Sequence, residues 1–191
     1  MAEAHLIKHC APTLAGIKTG SVFTCPYERR EELMDSIRAL NRRLSPKGLR
    51  MVPLRFSDRK ALIYLYRPSQ QRQDLSDQEA SQILARHGYA IDSCERCVVR
   101  LVQRLREEGD FPHEIGLFLG YPPEDVRGFI ENRACGFKCV GCWKVYGDEE
   151  AAQKRFRQYK KCTQVYCDRW NDGGSIDRLA VADRRGGRFT N

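Results

Sequence analysis

The sequence has no long hydrophobic run, no internal repeat and no low-complexity linker. None of its apolar stretches approaches the roughly 20 residues that a membrane-spanning helix needs, so we expect no membrane partner. The first residues, MAEAHLIKHCAPTLAG, lack the basic start and the long apolar stretch of a secretory signal. We therefore predict a cytoplasmic protein whose thiols are reduced and which has no disulfide framework.

The charge is basic overall but is not segregated along the chain. The 191 residues are 41% hydrophobic and 30% charged, which is typical of a soluble domain with a real core. The net charge of +8 favours anionic partners. Basic residues nevertheless alternate with acids, and only the segment with Arg184, Arg185 and Arg188 is a basic run without acids. One alternative is therefore a protein that binds nucleic acid or another protein through its basic surface, and the support for nucleic acid is weak.

The first half of the chain reads as a strand, a helix and a hairpin. Residues 21–25 predict a short strand, and an apolar stripe at helical spacing predicts a helix over 28–44. Residues 49–56 and 61–66 predict a hairpin in which Pro53 marks an edge position or a bulge.

The second half alternates irregularly between predicted helices and short strands. Helices are predicted over 77–86, over 93–107, from Pro123 onward and over about 148–170, and strands over 115–119 and 138–146. This pattern predicts an α+β fold with a small mixed β-sheet and a β-hairpin packed against several helices. We expect one domain over residues 1–171 and a flexible basic tail over 172–191.

Nine cysteines are many for a chain of this length, and three of them lie within eight positions. Cys135, Cys139 and Cys142 have the Cys-x3-Cys-x2-Cys spacing that radical S-adenosylmethionine enzymes use for a [4Fe–4S] cluster. A closed zinc site would need a fourth ligand, for which Cys162 or Cys167 is available. A strand through this segment would point two of the thiols to opposite faces, so ordinary free or buried thiols remain the alternative.

Cys94 and Cys97 form a second pair, with two residues between them. Both lie on the apolar side of their predicted helix, where cysteine behaves as a small hydrophobic residue. We therefore place this pair in the core.

The N-terminal segment His9–Gly20 collects a thiol, an imidazole and a lysine without a helical or strand period. A cysteine beside a cation has a lowered pKa and becomes nucleophilic or redox-active. Cys10 is the candidate reactive group, with His9 as a proton partner and Lys18 as an anion contact.

Residues 112–125 predict a strand that ends in a glycine turn and continues into a helix. The N-terminus of a helix is a good place to hold an anionic group. Glu114 is a candidate acid or base there, and Arg127 is a candidate partner for a phosphate or carboxylate. The alternative is an ordinary capped turn beside a solvated His113.

Four segments of this chain together resemble a known bacterial family. They are HCAPTLAGIKTGS, the hairpin after SPKGLR, EIGLFLGYPPEDVRGFIEN and GCWKVYGDEEAAQKRFRQYKKC. The chain resembles domain-of-unknown-function family 3793 from about residue 5 to 170. That family has no established activity, so the resemblance implies kinship without a mechanism, and its frequency in anaerobes is compatible with a reduced, thiol-rich interior.

The resemblance also favours a pocket formed by three segments over the cysteine cluster at 135–142. The family pattern centres on three segments: His9, Cys10, Pro12, Leu14 and Gly16; Glu114, Gly116, Gly120, Tyr121 and Pro122; and Trp143 to Tyr146. Cys135 lies outside that pattern, which weakens a family-wide cluster at 135–142. We therefore expect these three segments to meet in one pocket.

The sequence predicts an uncharacterised cytoplasmic protein with a thiol-bearing pocket for a small anionic ligand or cofactor, in redox or metal handling. Whether it is an enzyme stays open. The catalytic candidates are Cys10, His9 and Glu114, and the cofactor-binding candidates are Lys18, Tyr121, Arg127 and Lys144. The alternative is a non-catalytic module that binds zinc or an iron–sulfur cluster through Cys135, Cys139 and Cys142.

Overall fold

A computed structural model describes residues 3–107 and 111–183 of the chain. These residues divide into two compact units. Unit 1 comprises the described residues up to Gln70 together with those from Lys161 onward, and unit 2 comprises those of Gln71–Lys160.

Unit 1 is built on a three-stranded antiparallel sheet in the order β1-β3-β2. Its strands are β1 (Gly20–Pro26), β2 (Arg50–Ser57) and β3 (Lys60–Tyr66). Its helices are α1 (Glu3–Leu14) and α2 (Arg30–Leu44), with a short 3-10 turn over Ser45–Lys47 after α2. Helix α3 (Pro68–Leu75) begins in unit 1 and ends in unit 2.

The core of unit 1 follows from the apolar periods of its elements. On α2 the predicted stripe is buried, and it consists of Leu33, Ile37, Leu40 and Leu44. The central strand β3 buries every second residue against the same cluster: Ala61, Ile63 and Leu65. The hairpin is confirmed, and Pro53 lies on an edge strand where the register shifts.

Unit 2 consists mainly of short helices and one small hairpin. Its helices are α4 (Gln78–Arg86), α5 (Cys94–Arg104), α6 (Ile115–Phe118) and α7 (Pro123–Glu131). The hairpin pairs β4 (Cys139–Val140) with β5 (Lys144–Val145) in antiparallel fashion. Helix α8 (Glu149–Asn171) begins in unit 2 and ends in unit 1, where α9 (Ile176–Leu179) follows it.

The predicted α+β class is confirmed, but three local predictions were wrong. The sheet of unit 1 is antiparallel rather than mixed. Residues 115–119 form helix α6 and its end instead of a strand, because a short apolar run fits either a buried strand or a buried helix turn. Residues 138–146 form the β4–β5 hairpin instead of one strand, because Gly141 allows the chain to reverse beside Phe156.

Of the expected tail at 172–191, the structure describes residues 172–183. Helix α9 buries Ile176 and Leu179 in the core of unit 1. The basic run at 184–188 lies outside the described residues. No helix within residues 3–107 and 111–183 is both long and apolar enough to cross a membrane.

Candidate functional site

The N-terminal segment forms a helix, and Cys10 lies inside the core of unit 1. The expectation of a non-periodic segment was wrong, because Pro12 within the sequence argued against a helix. Helix α1 tolerates this proline two residues before its end and buries a continuous stripe that includes Leu6, Ile7, Cys10 and Leu14. The Cys10 side chain is 0% exposed.

This position makes Cys10 a poor nucleophile. Burial strongly raises the pKa of the Cys10 thiol, and the opposing effect of Lys18 is smaller. His9 lies on the exposed side of the helix, where its ring stacks on Phe23 at a centroid distance of 6.2 Å. Burial, His5 and Lys8 lower the pKa of His9. The structure therefore separates the predicted thiol from its predicted proton partner.

Glu114 is held in an ion pair inside unit 2. Its side chain accepts a hydrogen bond from the Tyr89 hydroxyl at 2.8 Å, and its carboxylate lies 2.7 Å from Arg104 Nε. The residue is 1% exposed. A general acid or base needs access to a substrate proton, and this carboxylate is instead buried against the Tyr89 hydroxyl and the Arg104 guanidinium. The arrangement explains Glu114 as a buried anchor for the segment that precedes α6.

A small cavity lies between α7, the turn before it and strand β5. Its volume is about 190 Å³, and we call it the aromatic pocket. It is lined by His113, Ile115, Gly116, Tyr121, Asp125, Val126, Phe129, Trp143 and Lys144. Two of the three segments expected to converge thus meet in unit 2, and two predicted cofactor-binding residues, Tyr121 and Lys144, line the cavity. Cys10 belongs to unit 1, so its convergence with them stays a prediction.

Aromatic rings form the walls of this pocket. Tyr121 stacks on Trp143 with ring centroids 4.7 Å apart, and Trp143 meets Phe156 edge-on at 4.5 Å. His113, also in the lining, packs edge-on against Phe129 with ring centroids 4.9 Å apart. Offset and edge-on pairs of this kind hold each other in place, so the cavity has rigid walls.

Asp125 fixes the hairpin against α7 and so fixes the shape of the pocket. One of its oxygens accepts a hydrogen bond from Trp143 Nε1 at 2.7 Å. The other accepts from the backbone N–H groups of Tyr146 and Gly147, both at 2.7 Å. Asp125 is 2% exposed, and three donors satisfy its buried charge.

Lys144 supplies the cationic group of the pocket. Its ammonium donates to the carbonyl of Ala134 at 2.8 Å and lies 4.7 Å from the centre of the Phe137 ring. Among the described residues, no carboxylate forms an ion pair with it. The Asp125 carboxylate of the same cavity is already occupied by its three donors. Lys144 therefore has charge left to offer to an anion.

A larger cavity, of about 430 Å³, lies at the start of α7 and has a different character. Four carboxylates line it, from Asp74, Asp77, Glu124 and Asp148, together with the single cation Arg155. Asp77 and Asp148 accept hydrogen bonds from the first N–H groups of α4 and α8. The expectation that an anion is held at the start of α7 therefore finds no support there, because acids already complement these helix ends.

The three cysteines predicted to bind metal lie on or beside the β4–β5 hairpin. Cys139 is half-buried on strand β4, Cys142 is exposed in the turn between the strands, and Cys135 is exposed before β4. Within residues 3–107 and 111–183, no three His, Cys, Asp or Glu side chains are placed to hold a metal ion. The prediction that Cys135, Cys139 and Cys142 hold a metal together therefore finds no support in the described residues.

The remaining predicted anion contacts lie elsewhere. Arg127, on α7, forms an ion pair with Glu79 of α4 within unit 2. Lys18 follows α1 in unit 1. Neither residue lines the aromatic pocket.

Sequence reasoning missed the roles of Asp125 and Phe129. Asp125 lies in the first turn of α7 and is also the buried acceptor that orders the hairpin. A usable signal was present, because Val126 and Phe129 repeat at helical spacing and Trp143 offers an indole N–H that needs a buried partner.

Comparison with known proteins supports the resemblance drawn from the motifs. No curated protein and no solved structure matches the chain. The profile of one family, described as protein of unknown function (DUF3793), matches residues 6–180. The match covers most of the 191 residues, and the chain belongs to this family.

Proposed function

We propose that the protein binds a small, flat molecule carrying a negative charge in the aromatic pocket of unit 2. The observation that carries this proposal is the combination of stacked aromatic walls with the cation Lys144 in one preformed cavity. Ligand sites are typically apolar cavities with a few polar groups that fix orientation. We place the protein in the cytoplasm, because all nine cysteines lie outside disulfides.

The ligand chemistry follows from the walls. A planar ring can stack on Tyr121 or Phe129, which both line the cavity, and a carboxylate or phosphate on that ring can accept from Lys144. The volume of about 190 Å³ suits a single or fused ring and excludes a dinucleotide. We propose binding without catalysis, since the buried Glu114 lies outside the lining and the buried Cys10 is protonated at neutral pH.

The two alternatives from the sequence receive less support. A metal-binding module would need Cys135, Cys139 and Cys142 to converge, and among the described residues no three His, Cys, Asp or Glu side chains are placed to hold a metal ion. A nucleic-acid surface would rest on the basic run at 184–188, which lies outside the described residues.

The test uses benzoate and its uncharged analogue benzamide as matched probes. The chain has two tryptophans, and only Trp143 lines the pocket. In a ¹H–¹⁵N spectrum, titration with benzoate should shift the indole N–H signal of Trp143 and leave that of Trp170 unchanged. A Trp170→Phe variant assigns the two signals.

The contribution of the cation is measured with Lys144→Met, which keeps the aliphatic stem. A hydrogen bond to a charged group is worth about 1.5–3 kcal/mol, so we expect benzoate to bind about tenfold more weakly while benzamide binding is unchanged. The control is Lys138→Met, because Lys138 donates to the carbonyl of Gly147 and lies outside the pocket lining. Equal loss in both variants, or shifts of both indole signals, would overturn the proposal.

A further inference from the structure

Cys94 and Cys97 share the first turn of helix α5 and one side of it. Cys94 is the first residue of the helix, and the Ser93 side chain caps it by accepting from the N–H of Arg96. Residues three apart in an α-helix have Cα atoms about 5 Å apart. That separation lies within the range that a disulfide bond spans without backbone movement.

Both thiols line the same cleft, which has a volume of about 300 Å³. Its walls combine apolar and charged side chains: Arg72, Leu75, Ser76, Leu84, Ile91, Asp92, Ser93, Cys94, Glu95 and Cys97. Cys94 is half-buried, whereas Cys97 is 1% exposed and donates from its sulfur to the carbonyl of Ala90. The pair thus has one thiol that a ligand can reach and a second thiol behind it.

We propose that Cys94 and Cys97 form a dithiol redox centre that exchanges with a low-molecular-weight disulfide bound in this cleft. The positions of the two thiols give each a role: Cys94 attacks the substrate, and Cys97 resolves the product. The cleft lining carries charges of both signs, from Arg72, which pairs with Glu95 at 3.8 Å, and from Asp92, which pairs with Arg96. Such a lining suits a disulfide that carries both carboxylate and ammonium groups, as amino-acid and peptide disulfides do.

The exchange proceeds in two balanced steps. Cys94, as the thiolate, attacks one sulfur of the substrate disulfide, which breaks that bond, forms a mixed disulfide and releases the first substrate thiol with a proton. Cys97 then loses its proton and attacks the Cys94 sulfur, which closes the protein disulfide and releases the second thiol. Two electrons and two protons pass from the protein to the substrate disulfide.

The surroundings of Cys94 and Cys97 favour a reducing dithiol over an oxidising one. Burial raises the pKa of the Cys94 thiol, although the positive charge of Arg72 lowers it in part. Burial, Cys94, Asp92 and Glu95 raise the pKa of Cys97 to about 11. Strongly oxidising centres stabilise their reduced form as a thiolate, and the environment of this pair does not.

The first experiment measures disulfide formation in the full-length wild-type protein. The protein is equilibrated in glutathione redox buffers, acid-quenched, alkylated and digested with trypsin. Cleavage after Arg96 separates Cys94, in peptide 87–96, from Cys97, in peptide 97–100, so their disulfide appears as a cross-linked pair of peptides.

The chain supplies its own matched control with the same spacing. Cys139 and Cys142 remain together in peptide 139–144, with Cys139 on strand β4 and Cys142 in the turn that follows it rather than on one helix turn. We expect the Cys94–Cys97 link to form reversibly at a ratio of oxidised to reduced glutathione about tenfold lower than the control pair requires. Oxidation of both pairs at the same ratio, or no cross-link, would overturn the proposal.

The second experiment traps the mixed disulfide. In Cys97→Ser the resolving thiol is absent, so oxidised glutathione should leave a stable adduct on peptide 87–96, which Cys94→Ser abolishes. Circular dichroism confirms that the variants are folded. An adduct on peptide 87–96 no more abundant than the one on peptide 139–144 would contradict the assignment of Cys94 as the attacking thiol.

Discussion

The buried guanidinium of Arg67 offers the sharpest test of how unit 1 is held together. Arg67 is 1% exposed and donates three short hydrogen bonds, to the carbonyls of Thr13 at 2.7 Å, Leu14 at 2.8 Å and Val181 at 2.7 Å, besides a long one to the carbonyl of Lys47 at 3.5 Å. It therefore caps the C-terminus of α1 with a positive charge and attaches the chain after α9 to the same point. Burial lowers its pKa, but an arginine remains charged at any pH the fold survives.

The substitution Arg67→Met keeps the stem of the side chain and removes all three donors. Hydrogen bonds from a charged donor are worth about 1.5–3 kcal/mol each, which sets an upper limit near 9 kcal/mol. The loss will be smaller, because Thr13 and Leu14 each keep a backbone partner, from Gly16 and Val181. The substitution also removes the free-energy cost of burying the charged guanidinium, which offsets part of the lost stability. We expect a destabilisation of about 3 kcal/mol.

Urea unfolding followed by circular dichroism measures this loss. Limited trypsin digestion at Arg178 gives a second readout, since α9 should become accessible before the rest of unit 1 unfolds. The control is Arg38→Met, whose side chain is 65% exposed and pairs only with Asp35, so it should cost less than about 0.5 kcal/mol. If Arg67→Met and Arg38→Met are equally stable and equally resistant to trypsin, the three hydrogen bonds do not hold this end of the chain.

Two further predictions concern buried groups of opposite character. Asp125→Asn places an amide donor against the indole N–H of Trp143, so we expect the free energy of unfolding, measured by thermal unfolding, to fall by about 2–3 kcal/mol. The control Asp35→Asn, at an exposed position, should change it very little. An equal effect of the two substitutions would contradict the role of Asp125 as an acceptor. Cys10 should react with iodoacetamide only on unfolding, whereas the exposed Cys135 reacts in the native state. Rapid alkylation of Cys10 in the native protein would show that this thiol is not buried. Because burial raises the pKa of Cys10 in the folded protein above its ordinary value of 9.0, the contribution of this thiol to stability is complete below pH 9.0 and declines as the pH rises further.

Elements whose residues have one consistent period could be predicted from the sequence. The stripe on α2, the alternation on β3 and the proline and acids that open α7 each specify their element locally. Helix α1 has an equally regular stripe, but Pro12 contradicts it, and only the surrounding core decides the outcome. Residues 115–118 have no local preference, since a four-residue apolar run fits two structures.

The sequence predicted which segments line the candidate site, but it did not predict which partner each charged residue contacts. The turn with Tyr121 and the strand with Lys144 do line one cavity. The use of each charged residue depends on partners distant in the sequence: Glu114 meets Arg104, and Arg67 meets the end of α1. A sequence read element by element contains no signal for such pairs, because the free energy that places a charge in the core comes from tertiary hydrogen bonds.

The two Cys-x2-Cys pairs show why spacing alone does not determine thiol chemistry. Along helix α5, a separation of three residues brings Cys94 and Cys97 to the same side of one turn and into one cleft. On the β4–β5 hairpin, the same separation crosses a chain reversal, with Cys139 on strand β4 and Cys142 in the turn. The density of cysteines is highest at the hairpin, which has three thiols within eight residues. Backbone geometry instead favours the helical pair for thiol chemistry, because both of its cysteines line one cleft.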